Sequence, residues 1–316
     1  MRVLVRLAQV KEFPVGILFG IIFFCFLLRA PGFVEARGLI DCARQYSCYA
    51  VLAVGLTLVI AGGGIDISVG SVVGFSAVVL GAALSRTQMG LGAACLIALA
   101  SGSIFGLING MAVARMGLQP VVVTLSTMAA ARGLAYVVAG PGISSISLPE
   151  RATQLENVLY NTSAPVVLAG LIAAAGWLVL TRTGFGRSIL ATGGNERAAW
   201  LSGIDVPNVK TAVYLLSGTL AGLAGVMTAG MMSTATTDAG LGYEFEAITA
   251  VLMGGTSITG GEATVVGTII GVATAATISR GFGLLGISDL WRMMCLGLIL
   301  IASVLVDKLR RRMIVR

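Results

Sequence analysis

Ten largely apolar runs divide this chain, and an α-helix needs about 20 such residues to cross the hydrocarbon core of a membrane. Only 11% of the residues are charged, whereas an ordinary soluble domain carries about 25%. The sequence therefore predicts an all-α polytopic membrane protein, a single transmembrane domain over 1–316 with about ten helices, some of them interrupted by glycine. The apolar runs cover 13–30, 44–61, 69–85, 91–113, 119–139, 164–181, 210–231, 245–259, 263–283 and 288–306.

Basic residues indicate the orientation of these helices, because Lys and Arg are enriched in cytoplasmic loops. Ten crossings place both termini on one side, and that side collects most of the 21 Lys and Arg residues. We therefore expect both termini in the cytoplasm, with a short N-terminal segment 1–12, a loop over 182–210 and a basic tail over 307–316. Such a tail suits anionic lipid headgroups, so the net charge of +7 does not require nucleic acid.

The residue types present exclude several kinds of active site. The chain has no histidine, which excludes a His-based triad, a His proton relay and a His-ligated zinc site. Its five cysteines form no C-x-x-C pair, so we predict no metal site. An intramembrane aspartyl protease needs two facing Asp residues, and only Asp66 lies near the predicted membrane depth. We predict no catalytic residue.

A polar interruption at Gly62–Gly70 separates the second and third apolar runs. Its three successive glycines break a helix, and Asp66 is placed to cap the next helix by accepting N–H groups near Ser68 and Val69. An ionised Asp at bilayer depth needs a partner or a wet cavity. The stretch is either a simple turn with a helix cap or part of a gate and translocation path. The residues assigned to the gate are Gly63, Gly64, Asp66, Ser68 and Gly70.

A related pattern recurs late in the chain. Residues 63–74 can be laid over residues 260–271, with both glycine pairs, a Val-Gly step and the final glycine in register. Paired glycine-interrupted segments in two halves of a transporter point to its translocation site. Glycine- and valine-rich sequence also produces such matches by chance, so both interpretations stay open here.

The loop over 182–210 contains a short helix with both ends marked. Asn195 is a good N-cap, Glu196 complements the helix dipole and Gly203 suits the C-terminal end. A helix this short is not stable alone in water, so it must dock against the lipid interface through Trp200, against this protein's own helices, or against a separate cytoplasmic subunit. The residues assigned to it are Gly193, Gly194, Asn195, Glu196, Arg197, Ala198, Ala199, Leu201, Ser202 and Gly203.

Taken together, these motifs resemble the membrane permease subunits of bacterial ABC sugar importers, the ribose, xylose, arabinose and galactose group. The resemblance runs from about Ala50 to Leu309, and its motifs stand in the family's order. They are Gly63–Ser71, Gly106–Gly110, Gln119–Leu125, Arg132-Gly133, Thr183–Arg187, Ala191–Glu196, Gly203-Ile204, Gly242–Ile248 and Gly254–Ser257. Two positions depart from the family's pattern: Glu262 after its glycine pair, and Ser279-Arg280-Gly281 in place of a common Asn-Gly.

The resemblance implies a sugar-transport permease of the bacterial inner membrane that works with three kinds of partner. These are a second permease subunit in a homo- or heterodimer, a cytoplasmic ABC ATPase, and a periplasmic or extracellular sugar-binding protein. The chain contains no G-x-x-x-x-G-K-[ST] phosphate loop, so it is not expected to be an enzyme. We expect ATP and Mg²⁺ to bind the ATPase, and no cofactor to bind this chain. The Asn195–Gly203 helix would then be the coupling helix.

On this interpretation transport proceeds by alternating access. Asp238, Glu244 and Glu246 are predicted to dock the binding protein on the outer face. Sugar hydroxyls need matching polar groups, and Asp66, Ser68, Asn109 and Thr124 are the candidates inside the membrane. Asn109 and Thr124 have the alternative role of hydrogen-bonding neighbouring helices.

Two rival functions remain open at this point. A branched-chain amino acid permease of the same superfamily would favour paired charges along its path. An ion-coupled secondary transporter would use Asp66 as its coupling acid but would not need the capped cytoplasmic helix. Pentoses, hexoses, sugar alcohols and furanosyl signalling molecules all fit the sugar interpretation.

Overall fold

The structure, a computed structural model, describes residues 12–87 and 89–314, without the side chains of residues 151, 303, 304 and 306–314. The predicted N-terminal segment 1–12 lies outside the described residues except for Glu12. The predicted tail over 307–316 is described only as a helical backbone that ends at Ile314.

Thirteen α-helices account for most of the described residues, joined by one 3₁₀ turn and two three-residue strands. The helices are α1 Phe13–Arg29, α2 Ala36–Ala61, α3 Val69–Arg86, α4 Leu91–Ala114, α5 Pro120–Ala139, α6 Thr153–Asn161, α7 Ala164–Arg182, α8 Gly184–Gly194, α9 Glu196–Leu201, α10 Val206–Met232, α11 Tyr243–Met253, α12 Val265–Leu284 and α13 Asp289–Ile314. Strand β1 (Ser145–Ser147) pairs antiparallel with β2 (Thr234–Thr236). Proline stands in the first turn of α1, α5, α7 and α10, where its missing N–H costs nothing.

Seven of the described helices are long and apolar enough to cross a membrane: α2, α3, α4, α5, α7, α10 and α12. Helix α1 is also apolar but shorter. The prediction of an all-α polytopic membrane protein is therefore confirmed. Helix α2 begins at Ala36, eight residues before the predicted run, because Arg37, Asp41 and Arg44 lower the local hydropathy without breaking the helix.

The predicted eighth span, 245–259, is wrong as a spanning helix. Helix α11 has 11 residues, which at 1.5 Å per residue is about 16 Å, roughly half of the hydrocarbon core of about 30 Å. It ends at Gly254, and residues 254–264 are not helical. The apolar run continues past the end of the helix because Gly254 and Gly255 stop a helix without adding charge.

Helix α10 is the centre of the bundle and packs most closely on α4. Gly102 and Gly106 of α4 face Gly218 and Gly222 of α10, and a Cβ atom on Gly106 would lie 3.0 Å from the Gly218 Cα. Small residues in register allow two membrane helices to approach backbone to backbone. Helix α2 lies beside this pair, and every residue from Tyr46 to Ala61 is buried.

The bundle has two distinct ends, which we name by the features found there. At the glycine end, Gly63, Gly193 and Gly260 lie together. At the sheet end lie the strand pair β1–β2 and helix α6, where Leu155 and Leu159 pack beside Gly230.

Candidate functional site

Helix α9 is the short helix that the sequence predicts between residues 195 and 203. The Asn195 side chain accepts the Ala198 N–H at 2.9 Å, and Gly203 follows the helix with φ +85°. This confirms both predicted ends. Glu196 forms an ion pair with Lys210 at 2.6 Å, while Trp200 and Leu201 are 64% and 70% exposed. The two large apolar side chains of α9 are thus left mostly uncovered by the part of the chain that the structure describes, while Ala199 is buried.

A contact between three glycine pairs lies directly at the base of α9. The pairs are Gly63-Gly64, Gly193-Gly194 at the end of α8, and Gly260-Gly261. A Cβ atom on Gly260 would lie 2.8 Å from the Gly63 Cα and 2.9 Å from the Gly193 Cα. One on Gly261 would lie 2.7 Å from the Gly194 Cα. We call this contact the glycine junction.

Only glycine fits several positions of the glycine junction. A methyl group on Gly193 would overlap the Ala61 carbonyl oxygen and lie 2.6 Å from the Gly261 nitrogen. The Gly261 N–H donates to the same Ala61 oxygen at 2.9 Å, so the end of α2 and the second glycine pair are joined directly. Gly63 and Gly260 have φ of +79° and +80°, a region that L-residues with a Cβ avoid. The two segments aligned in the sequence are therefore neighbours in space.

The first of these turns, Gly62–Ser68, is held by a buried carboxylate. Asp66 is 1% exposed and accepts the Ser68 N–H at 3.1 Å and the Ser68 hydroxyl at 2.6 Å. Its other oxygen accepts the Ser217 hydroxyl of α10 at 3.0 Å. Two of these three hydrogen bonds close the turn on itself at Ser68, and the third ties the turn to α10.

Asn109 and Thr124 complete the same polar cluster. The Asn109 amide donates to the Ser68 hydroxyl at 2.9 Å, and the Thr124 hydroxyl lies 3.4 Å from the Ile65 carbonyl oxygen. Tyr214 of α10 also donates to that oxygen, at 3.2 Å. Both Asn109 and Thr124 are fully buried, and the Asn109 Oδ1 atom has no hydrogen-bond partner among the described residues. The structure therefore brings the four predicted polar residues together, inside the protein.

Gly70 belongs to a different contact. It lies with Gly74 and Gly81 along α3, where the segment 235–244 runs beside the helix. This segment comprises the end of β2, the turns at 237–242 and the start of α11. A Cβ atom on Gly81 would lie 2.7 Å from the Ala235 Cβ, and one on Gly74 would lie 2.6 Å from the Ala239 oxygen. Glycine on α3 therefore makes the groove in which the segment lies.

Arg132 of α5 fixes this segment from the other side. Its guanidinium donates to the Thr237 carbonyl and, at 3.0 Å, to the Ala239 carbonyl. Because a guanidinium offers five fixed donors, this one side chain can bond two carbonyl oxygens of the turns at once. Arg132-Gly133 is one of the motifs in the sequence, but no pattern in the sequence predicts that residues 237–239 lie against α5.

The three acids predicted to dock a binding protein lie in different surroundings. Asp238 is exposed and accepts a hydrogen bond from the Tyr136 hydroxyl at 2.7 Å. Glu244 is only 5% exposed and lies against Gly70. The Glu246 carboxylate is paired with Arg292 of α13. In this conformation only Asp238 is presented at a surface, because the segment before α11 runs inward along α3.

Comparison with known proteins shows what the chain is similar to. Residues 38–304 match the family model described as "Branched-chain amino acid transport system / permease component". The chain is 36% identical over 282 residues to the ribose import permease protein RbsC of Escherichia coli K12, which covers 88% of each chain. It is 36% identical to RbsC of Bacillus subtilis 168, over 88% of this chain and 87% of that one. It is 32% identical to the L-arabinose ABC transporter permease protein AraH of Azospirillum brasilense, over 93% of this chain and 86% of that one. No solved structure matches the chain.

Proposed function

We propose that this chain, which belongs to the permease components of ABC transport systems, carries a monosaccharide or a related small polyol across the membrane by alternating access. It is a multi-pass protein of the bacterial inner membrane and a transport subunit, not an enzyme. The substrate class rests on its relatives, since RbsC is a ribose import permease and AraH an L-arabinose permease.

The branched-chain amino acid alternative is not favoured. The matching family model carries that description, but a family model groups chains of one fold with different cargo. The relatives that align with 88% or more of this chain at 32–36% identity are named for ribose and arabinose.

For the path of the chain we propose ten crossings with both termini in the cytoplasm. Nine crossings are the helices α1–α5, α7, α10, α12 and α13. The segment 235–242, which is the end of β2 and the turns after it, forms the remaining crossing together with α11. This arrangement is supported by the basic residues at 182–210, which lie at the glycine end. The glycine end is then cytoplasmic, and the sheet end faces the binding protein.

Three partners complete the proposed transporter: a second permease subunit, identical or homologous, a cytoplasmic ABC ATPase, and an extracytoplasmic sugar-binding protein. ATP and Mg²⁺ bind the ATPase, and this chain holds no cofactor. Membrane lipid surrounds the bundle. Nucleic acid has no part in it.

Helix α9 is the proposed contact with the ATPase, and the exposure of Trp200 and Leu201 is the observation that carries this role. Two large apolar side chains on one turn of helix suit a groove in a partner protein. The base of α9 is the glycine junction, so a push on α9 reaches the turns at Gly63 and Gly260 through backbone contacts. The coupling segment runs from Gly193 to Gly203.

We propose that the turn Gly62–Ser68 is a gate element. Opening it would expose the buried polar atoms of Asp66, Ser68 and Asn109, together with Thr124, to a passing sugar. Asp238 is proposed as a docking residue for the binding protein. Glu244 and Glu246 would join it only in a conformation in which α11 and its preceding segment have moved.

The test is uptake of labelled ribose into proteoliposomes that hold this chain with its ATPase and binding protein. Replacing residues 195–203 by a Gly/Ser linker should abolish uptake. Trp200→Ala combined with Leu201→Ala should lower uptake at least about tenfold, because burying two large apolar side chains contributes roughly 1.5–3 kcal/mol each. Met116→Ala is the matched control, since Met116 is 70% exposed but lies in the loop between α4 and α5.

A different result would point to the rival function. Uptake by this chain alone, driven by an ion gradient and lost in Asp66→Asn, would establish a secondary transporter. If Met116→Ala lowered uptake as much as the Trp200→Ala, Leu201→Ala double variant, α9 would not be the specific contact with the ATPase.

A further inference from the structure

An apolar cleft of about 380 Å³ lies between α1, α2, α7 and α12. Small side chains form much of its wall, among them Ala43, Ala169, Gly170 and Ala273. A Cβ atom on Gly170 would meet nothing within 4 Å, so this wall faces open space. The cleft has the dimensions of a ligand site and lies apart from the glycine junction.

The length of the cleft follows from the helix positions along its wall. On α12 it runs from Ile269 to Arg280, and on α2 from Leu39 to Ala50. Eleven residues at 1.5 Å per residue make about 16 Å, which is close to half of a hydrocarbon core of about 30 Å. The cleft is therefore about as long as one leaflet is thick.

The polar groups in the wall are unsuited to a sugar. The Ser47 and Thr277 hydroxyls donate to the backbone carbonyls of Arg44 and Ala273, and the Cys42 thiol lies 3.5 Å from the Ala276 oxygen. Since a buried polar ligand needs hydrogen-bond partners, a wall whose donors are already used favours a hydrocarbon chain.

A second cavity, also of about 380 Å³, continues from the sheet end of the cleft. The two cavities share Cys42 and Arg280. The second one is polar, with Asp41, Gln45 and Ser279 in its wall. An apolar cleft that opens into a polar cavity matches a molecule with a hydrocarbon tail and a charged head.

Arg280 supplies the charge at the point where the cavities meet. Its Nε and Nη2 donate to the Phe33 and Gly32 carbonyl oxygens at 2.8 Å and 2.9 Å. Among the described residues no carboxylate lies within ion-pair distance of it. Arg280 stands four residues before the end of α12, about 6 Å along the helix, and its guanidinium reaches the connection between α1 and α2 at Gly32 and Phe33. Arginine side chains near the ends of membrane helices extend towards the headgroup region in this way. Guanidinium groups bind phosphates well.

We infer that this chain binds one phospholipid, with an acyl chain in the cleft and its phosphate at Arg280. Asp41 lies in the same polar cavity, where one of its oxygens is paired with Arg44 at 2.9 Å. Its side chain is 69% exposed, so the carboxylate can also accept an amine that a headgroup carries beside its phosphate. The site therefore takes a zwitterionic phosphoethanolamine lipid. It also gives a role to Ser279-Arg280-Gly281, which the transport mechanism leaves unused.

The experiment is native mass spectrometry of the delipidated full chain, with a phosphatidylethanolamine and a diacylglycerol of the same acyl chains added in turn. We expect one retained phosphatidylethanolamine per chain and at least fivefold less retained diacylglycerol. Gly170→Leu fills the cleft and should lower retention at least fivefold, and Arg280→Gln should remove the preference for phosphate. Gly92→Leu is the matched control, because a Cβ there also meets nothing within 4 Å but Gly92 lies on α4.

A measurement on the unmodified chain covers the case in which a variant does not fold. Cys42 lines both cavities, and Cys95 on α4 is similarly half-buried. Phosphatidylethanolamine should slow alkylation of Cys42 by N-ethylmaleimide at least threefold and leave Cys95 unchanged, as read by peptide mass spectrometry. Equal retention of the two lipids, wild-type retention by Gly170→Leu, or equal effects on the two cysteines would each overturn the proposal.

Discussion

The turns Gly62–Ser68 and Gly254–Thr264 meet the same helix end at Gly193 and Gly194, yet each is tied to a different part of the bundle. In the first turn the Asp66 carboxylate accepts the Ser217 hydroxyl of α10 at 3.0 Å. In the second, the Thr264 hydroxyl donates to the Glu12 carboxylate at 2.5 Å and accepts the Gly267 N–H at 3.2 Å.

The glycines and the polar side chains of these turns therefore have different roles, which the glycine pattern alone does not show. The glycine pairs determine where three segments of backbone touch. The polar side chains determine which helix each turn follows: the first is linked to α10, and the second to the start of α1. A movement of α9 that reaches both turns therefore acts on two separate parts of the bundle.

The largest effect is expected from comparing alanine at the two turn glycines. Gly63→Ala should cost about 1–2 kcal/mol, the strain of a left-handed residue with a Cβ, because its nearest new contact is 3.4 Å away. Gly260→Ala has the same strain and three contacts under 3.0 Å, which add about 1–3 kcal/mol of overpacking. Thermal unfolding of the purified chain checks the order. Equal melting temperatures for Gly63→Ala and Gly260→Ala would show that the backbone around Gly260 shifts to accommodate the added Cβ without cost.

The next effect concerns the acids that follow the two glycine pairs. Asp66→Asn should cost about 1–3 kcal/mol, because a buried acceptor of three hydrogen bonds is replaced by a group with one acceptor oxygen. Glu262→Gln should cost less than Asp66→Asn, because Glu262 is only half-buried whereas Asp66 is 1% exposed. The free energy of unfolding, measured for both variants, tests this difference. A larger loss in Glu262→Gln would contradict the assignment of Asp66 as the anchor of the first turn.

A smaller effect is expected at Thr264, the anchor of the second turn. Thr264→Ala removes the helix cap, which typically costs about 1 kcal/mol, and also removes the bond to Glu12. Thr264→Ser keeps a hydroxyl at the same place and serves as the control. The melting temperature should fall in the alanine variant and stay near wild type in the serine variant; a fall in both would attribute the effect to the lost methyl group.

Much of the fold could be predicted from the sequence, because hydropathy reports directly on helices that face lipid. Nine apolar runs are helices with ends close to the prediction, apart from the early start of α2 and the end of α13, which lies at Ile314 and not at 306. The failure at α11 has a physical cause: Gly254 and Gly255 end a helix inside an apolar run. Helix α8 was missed because Gly184–Gly194 is too short and too mixed in composition to show a clear period.

The site was predicted in pieces that only the fold joins. Two parts of the site can be recognised from the sequence alone. The capped helix at Asn195 is a local pattern, and the match between residues 63–74 and 260–271 is a repeated one. That Gly193-Gly194 lies between those two turns is a tertiary contact with no local signal. Ser217 was missed for the same reason, since nothing in the sequence predicts that this serine of a membrane helix lies beside Asp66.

The central claim is that the glycine junction transmits movement from α9 to both turns, and neighbouring glycines allow a matched test. A Cβ on Gly193 would overlap backbone atoms of Ala61 and Gly261, whereas one on Gly194 would lie 3.8 Å from the Gly261 Cα, an ordinary contact. The measurement is the number of ribose molecules transported per ATP hydrolysed in proteoliposomes of the complete transporter. We predict a value at least about tenfold below wild type for Gly193→Ala and a value near wild type for Gly194→Ala. Equal values for the two variants, or an unchanged value for Gly193→Ala, would contradict the account.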